Sequence, residues 1–224
     1  MIGTRASRIT SVILLLFAFG IAQAQSRSDD IHALLFRENM EKAERGDMQA
    51  QEEVAFAYMY GLGVSRDDNA AIRWYEKAAS AGSALAMSEL GGLFGLRKDY
   101  ARAFEWYSRA SEKRYPFAVF RLGVMYEQGW HVAKDGTKAT RLFEDAAWLG
   151  SAEAQHYLGL LYFQGQLVPK SFTWSYAWLN LAASKNSTYA KARDLVEKRL
   201  TPEQLGEAQR LSTEWAEKLK HSSK

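Results

Sequence analysis

Apolar positions along the chain follow helical spacing and return every 36 residues. Ala50, Ala86, Ala118 and Ala154 begin the pattern. Four positions on stand Val54, Leu90, Leu122 and Leu158, then the small residues Ala55, Gly91, Gly123 and Gly159, and three further on Tyr58, Phe94, Tyr126 and Tyr162. A second half repeats in turn: Ala71, Ala103, Ala139 and Ser175; Trp74, Trp106, Leu142 and Trp178; Tyr75, Tyr107, Phe143 and Leu179; Ala78, Ala110, Ala146 and Ala182. The first half keeps apolar residues at i, i+4, i+7 and i+8, and the second at i, i+3, i+4, i+7 and i+8. Both are the apolar stripe of an α-helix. A unit of two helices recurring in phase predicts an all-α chain of stacked hairpins, an α-solenoid.

One unit is irregular. From Phe94 to Trp106 is 12 residues, where the other units have 16. The missing four fall in the hairpin loop, which elsewhere reads Gly61-Leu62-Gly63-Val64, Gly129-Trp130-His131-Val132 and Gly165-Gln166-Leu167-Val168. A loop is where a hairpin best tolerates deletion. Glycine closes the second helix at Gly46, Gly82 and Gly150, the usual left-handed stop. Arg114 stands there in the third junction, which predicts a different ending. The recurring small residue predicts close helix contact, because glycine inside a helix otherwise costs about 1 kcal/mol against alanine. Trp74, Trp106 and Trp178, with the neighbouring Tyr, are expected to fill the space between hairpins.

The pattern divides the chain into repeats over 46–81, 82–113, 114–149 and 150–186, flanked by helical caps. The N-terminal cap covers 25–45, with a helix over 31–45 behind Ser28-Asp29-Asp30. The C-terminal caps cover 187–220. Residues 189–200 read as a first helix, and Thr201-Pro202-Glu203-Gln204 as a helix start with Thr at the N-cap, Pro at N1 and Gln at N3. Residues 221–224 are expected to be a disordered tail.

These residues resemble Sel1-like repeats, relatives of the tetratricopeptide repeat. The pattern A-x-A-x-x-x-L-G-x-x-Y-x-x-G-x-G-V, followed by A-x-x-W-Y-x-x-A-A-x-x-G, is matched by Tyr58, Gly61, Gly63, Val64, Trp74 and Tyr75 in the first unit. The third unit matches it with Leu122-Gly123, Tyr126, Gly129 and Val132, and the fourth with Leu158-Gly159, Tyr162, Gly165 and Val168. Departures are Ala55 for glycine, Leu142-Phe143 for Trp-Tyr, Trp178-Leu179, and the missing loop of the second unit. The resemblance covers about residues 46–186. It implies adaptor or scaffold roles, often in bacterial envelopes. The tail over 201–215 also resembles exported bacterial members.

Residues 1–8 carry Arg5 and Arg8 and no acid, 9–21 are almost wholly apolar, and Ala22-Gln23-Ala24 is a small-x-small site. This predicts a cleavable signal peptide over 1–24, cut after Ala24, since the apolar stretch falls short of the ~20 residues that span a bilayer. The expected location is periplasmic or secreted, with no stable membrane insertion after cleavage. An uncleaved signal anchor is the alternative.

Composition is ordinary for a globular chain, 25% charged and 47% hydrophobic with only 3 prolines. The formal net charge is +3, of which Arg5 and Arg8 supply two. A charge so close to neutral gives no case for nucleic acid as partner. With Cys 0 there is no disulfide, thiolate zinc site or cysteine nucleophile.

His32, His131, His156 and His221 are not spaced as a metal-binding pair. His131 is expected to be a solvated loop residue. Asp67-Asp68 reads as a helix N-terminus and Glu144-Asp145 as a wet face. Asn186-Ser187-Thr188 matches a glycosylation sequon whose use an exported bacterial context disfavours. No catalytic, cofactor or metal site is assigned, and the chain is read as non-enzymatic.

In a helical solenoid the first helix of each hairpin is expected to line the concave side, where partners usually lie. Positions about 200° from the core alanine on these helices are Glu52, Ser88, Phe120 and His156; then Phe56, Gly92, Val124 and Leu160; then Met59, Gly95, Glu127 and Phe163. The groove for a protein or peptide partner is therefore assigned to Glu52, Phe56, Met59, Ser88, Gly92, Phe120, Val124, Glu127, His156, Leu160 and Phe163. The competing reading is that these side chains pack internally, above all Leu160 and Phe163 beside the C-terminal cap. The glycines of the second unit either leave a dent or only relieve crowding from its short loop. Alternatives in function are cell-wall hydrolysis, for which Glu52, Glu127 and His156 are the groove candidates, and glycan binding on Phe56 and Phe120.

Overall fold

Every regular element among the described residues, 30–222 of a computed structural model, is a helix. The signal peptide reading, and Ser28-Asp29 of the expected N-cap, lie outside them. Two compact units divide the chain, Met1–Ser83 and Ala84–Lys224.

The first unit holds α1 (residues 30–44), α2 (Met48–Tyr60) and α3 (Asp68–Ser80). Its core joins Ala43, Ala50 and Val54, with Phe36, Met40, Tyr58 and Trp74 packed against them. Buried Gln51 donates to the Ala43 carbonyl at 3.2 Å, pinning α2 to the end of α1. Gly63 shows why the first loop needs its second glycine: φ is +70°, and a Cβ there would fall 2.2 Å from the His32 carbonyl oxygen.

The second unit contains three hairpins and the C-terminal cap. The hairpins are α4 (Ala84–Leu96) with α5 (Tyr100–Glu112), α6 (Pro116–Gln128) with α7 (Gly136–Trp148), and α8 (Ala152–Gln164) with α9 (Phe172–Lys185). A 3-10 turn at Ser187–Tyr189, α10 (Ala190–Glu197) and α11 (Pro202–Ser222) follow. Each hairpin packs on itself and on the next, the arrangement of an α-solenoid. The recurrent glycine is explained within the hairpin. A Cβ on Gly91 would fall 2.7 Å from the Tyr107 ring, on Gly123 2.6 Å from Phe143, and on Gly159 2.5 Å from Leu179.

The Tyr position does two things: Tyr107, Phe143 and Leu179 lie over the glycine of their own hairpin, while Phe143 meets Tyr157 of the next hairpin at 4.8 Å and Tyr107 accepts from Arg121 of the next. Two expectations change here. The Trp position is unequal: Trp74 and Trp106 stay half-buried, with Lys77 and Arg109 cations over their rings at 3.6 and 4.4 Å. Trp178 is buried because Trp215 of α11 covers it at 4.5 Å. The third junction does not end differently. Arg114 adopts φ 58° and repeats the glycine pattern, its N–H donating to Ser111 at 2.8 Å and that of Tyr115 to Ala110 at 3.1 Å. Gly150 and Ser151 do the same with Ala147 and Ala146, at 3.0 Å each.

The four-residue deletion leaves hairpin closure intact. The N-cap N–H groups of Asp67, Asp135 and Ser171 each donate to the tyrosine carbonyl nine residues back, at 2.9 Å. Asp99 donates to Phe94, five residues back, at the same distance. The shortened turn holds Lys98 at φ 59°, as the longer loops hold His131 at 67° and Leu167 at 61°. At the C-terminal cap, Gln204 N–H donates to Thr201 Oγ1 at 3.3 Å and Thr201 N–H to Gln204 Oε1 at 3.0 Å, the expected capping box. The helix expected over 189–200 is shorter, Ala190–Glu197, with the 3-10 turn before it.

Candidate functional site: the first-helix face

Local signals fix where α2, α6 and α8 start and stop. The Asp47 and Ser151 side chains accept from Ala50 and Ala154 N–H at 2.8 and 3.1 Å, and Pro116 opens α6. Gly61, Gly129 and Gly165 close α2, α6 and α8 in the left-handed region.

In the first unit, Phe56 is 47% exposed and lies 4.4 Å from the Tyr60 ring, and Met59 is half-buried beside it on α2. Glu52 accepts a hydrogen bond from the Ser83 hydroxyl.

In the second unit the assigned residues divide by what they touch. Ser88 lies inside, 1% exposed, and offers no surface. Phe120 is half-buried against Phe143 and Tyr157, at ring distances of 5.5 and 5.7 Å, with Val124 packed into the same core. Glu127 accepts from the Tyr157 hydroxyl at 2.8 and 2.7 Å. His156 stacks on Tyr189 at 4.4 Å and 21°, and burial holds its pKa below the ordinary 6.5. Leu160 is half-buried. Phe163 turns to Phe172 at 5.5 Å and joins the C-terminal core with Tyr176 and Val196. Glu127 and His156 each end on a different tyrosine. Among the described residues no three His, Asp or Glu side chains converge as a metal would need, and no helix is long and apolar enough to cross a membrane.

Gly92 leads to what single-helix reading misses. A recess of about 230 Å³ opens beside it, formed by Gly92, Gly95 and Leu96 of α4, Tyr100 and Tyr107 of α5, Arg121 and Met125 of α6, and Trp130 of the loop beyond α6. Tyr100 and Trp130 stack at 5.0 Å and 12° along it. Leu96 is 84% exposed. Arg121 Nε donates to the Tyr107 hydroxyl at 3.3 Å, and burial pushes that phenol's pKa up. The dent left open by the sequence is therefore present, lined by aromatic rings and one guanidinium. Two further depressions lie elsewhere in this unit. One is on the outer side of α5, where His131, though exposed, rests on Phe104 at 5.6 Å. The other is beside Leu142 and Trp148.

Comparison with known proteins places these features. The model of the Sel1 repeat matches residues 49–83, 84–115, 116–151 and 152–187. A protective antigen of uropathogenic Escherichia coli with an SLR fold is 32% identical, with TM-score 0.73, over 82% of this chain and 41% of its own. A Sel1 repeat protein from Oxalobacter formigenes is 27% identical, with TM-score 0.68, over 84% of this chain and 76% of its own. The ERAD-associated E3 ubiquitin-protein ligase component HRD3B of Arabidopsis thaliana is 37% identical over 101 residues, 42% of this chain and 16% of that protein. Chitin synthase regulatory factor 3 of Schizosaccharomyces pombe is 33% identical over 92 residues, 41% of this chain and 10% of that protein. The chain thus spans a small part of the curated relatives it matches. Four copies in register, covering more than half of its length, show that the chain belongs to the Sel1 repeat family.

Proposed function

We propose that this chain is an exported, non-catalytic scaffold of the bacterial envelope that binds a protein or peptide on its first-helix face. The observation that carries the reading is the recess between α4 and α6, an apolar, aromatic-lined surface with a single cation. Such a surface suits a protein segment better than a soluble metabolite, because aromatic and arginine side chains supply most of the energy in protein contacts. The family supports the scaffold role, and the Arabidopsis relative is named as a component of a larger ligase assembly. Arg5, Arg8 and the apolar stretch over 9–21 support export.

Affinity capture from envelope extract, with residues 25–224 as bait, tests the reading, alongside incubation of the same protein with peptidoglycan. A defined protein partner and unchanged peptidoglycan are the expected results. Turnover of peptidoglycan that Glu127→Gln abolishes, or retention on insoluble wall glycan that Phe56→Ala removes, would replace it with the corresponding cell-wall activity.

A further inference from the structure

Two successive hairpin junctions of the second unit are built from equivalent positions, yet only one is filled. Between the third and fourth repeats, Phe120 lies against Phe143 and Tyr157, Val124 packs beside them, and Glu127 accepts from the Tyr157 hydroxyl. Between the second and third, the matching residues are Ser88 for Phe120, Gly92 for Val124, Gly95 for Glu127 and Arg121 for Tyr157. A phenyl ring, an isopropyl group and a carboxylate are missing there together; Ser88 itself is enclosed, and the recess opens beside Gly92 and Gly95.

The chemistry left behind is specific. Arg121 occupies the position of the donor Tyr157, but the position of its acceptor holds Gly95, whose Cβ direction is open space. Among the described residues the guanidinium makes one hydrogen bond, from Nε to Tyr107, so most of its five N–H donors are uncommitted. Burial raises the pKa of Glu89, an acid whose charge acts on Tyr107.

We propose that the recess seats an acidic–apolar segment of the protein partner: a glutamate carboxylate on Arg121, where Glu127 would stand, and a neighbouring aromatic side chain beside Gly92, against the stacked Tyr100 and Trp130 rings. A carboxylate on arginine forms the strong bidentate pair that a phenol cannot. This names the partner chemistry of the surface proposed above, and rests on that reading.

Fluorescence anisotropy with a labelled, C-terminally amidated peptide carrying Phe-Glu in a Gly/Ser background tests it. Binding is expected to weaken about tenfold or more with Phe-Gln, and equally with Arg121→Gln. Gly95→Glu supplies the carboxylate from within and should abolish binding with no fall in melting temperature. Binding unchanged by both substitutions, binding only of a control peptide with a free C-terminal carboxylate, or no binding at all would overturn the proposal. Capture from envelope extract separates this from the broader reading. A partner held equally by wild type and Gly95→Glu removes the recess and leaves the scaffold role; a wild-type bait that holds nothing removes the scaffold role itself.

Discussion

The Tyr157 hydroxyl reaches both carboxylate oxygens of Glu127, at 2.8 and 2.7 Å, and ties α8 to α6. A hydrogen bond to a charged acceptor contributes about 1.5–3 kcal/mol when shielded, and less when water competes. Tyr157→Phe is therefore expected to lower unfolding stability by about 1–2 kcal/mol. Glu127→Gln should cost less, and the double change should cost no more than the larger single one. Urea denaturation of the four proteins measures the cycle, and full additivity would show that the bond contributes nothing.

Gly159 lies where any Cβ would stand 2.5 Å from the Leu179 branching carbon. Gly159→Ala is expected to cost about 1–3 kcal/mol by overpacking, although alanine is the better helix former. Pairing it with Leu179→Ala should recover part of the helix-propensity gain. A stabilised single variant would mean that the hairpin opens freely.

Arg114 adopts a backbone conformation that its three counterparts reach with glycine, φ 58° against 93°, 101° and 93°. A side chain in that region is strained, and glycine relieves it at the price of a looser unfolded chain. Arg114→Gly should raise stability by about 0.5–1 kcal/mol, read from the thermal midpoint. An unchanged or lower midpoint would show that the arginine side chain itself supports the junction.

His156 is held below its ordinary pKa of 6.5 by burial beneath Tyr189. Between the folded value and 6.5 the unfolded chain binds more protons, so stability falls as pH drops through that window and is untouched above it. Tyr189→Ala should raise the midpoint toward 6.5, followed by NMR of the imidazole. A midpoint at or above 6.5 in the wild type would contradict the burial.

Hairpins, caps and the small-residue positions were legible in sequence because each depends on one helix's own period or on a local signal such as Thr201…Gln204. The pairing of Gly159 with Leu179 was half legible: the glycine announced a close approach, but not which residue approached. Arg114 misled because left-handed backbone costs an arginine only about 1–2 kcal/mol, within what two well-packed helices impose. The recess escaped because its meaning lies between helices. Gly95 matters only opposite Arg121, just as Glu127 matters only opposite Tyr157. Ser88 looked outward by angle alone, yet the packing of its unit encloses it. Phe163 likewise turned to Phe172, a contact set by the C-terminal cap.

Backbone-amide NMR of the 15N-labelled protein, titrated with the captured partner, reports most directly where recognition occurs. The first-helix account expects shifts concentrated at Gly92, Gly95, Arg121 and Val124 on α4 and α6, with α7 and α9 quiet away from that face. Perturbations gathered on α7, α9 or α11, with Gly92 and Arg121 unmoved, would contradict it.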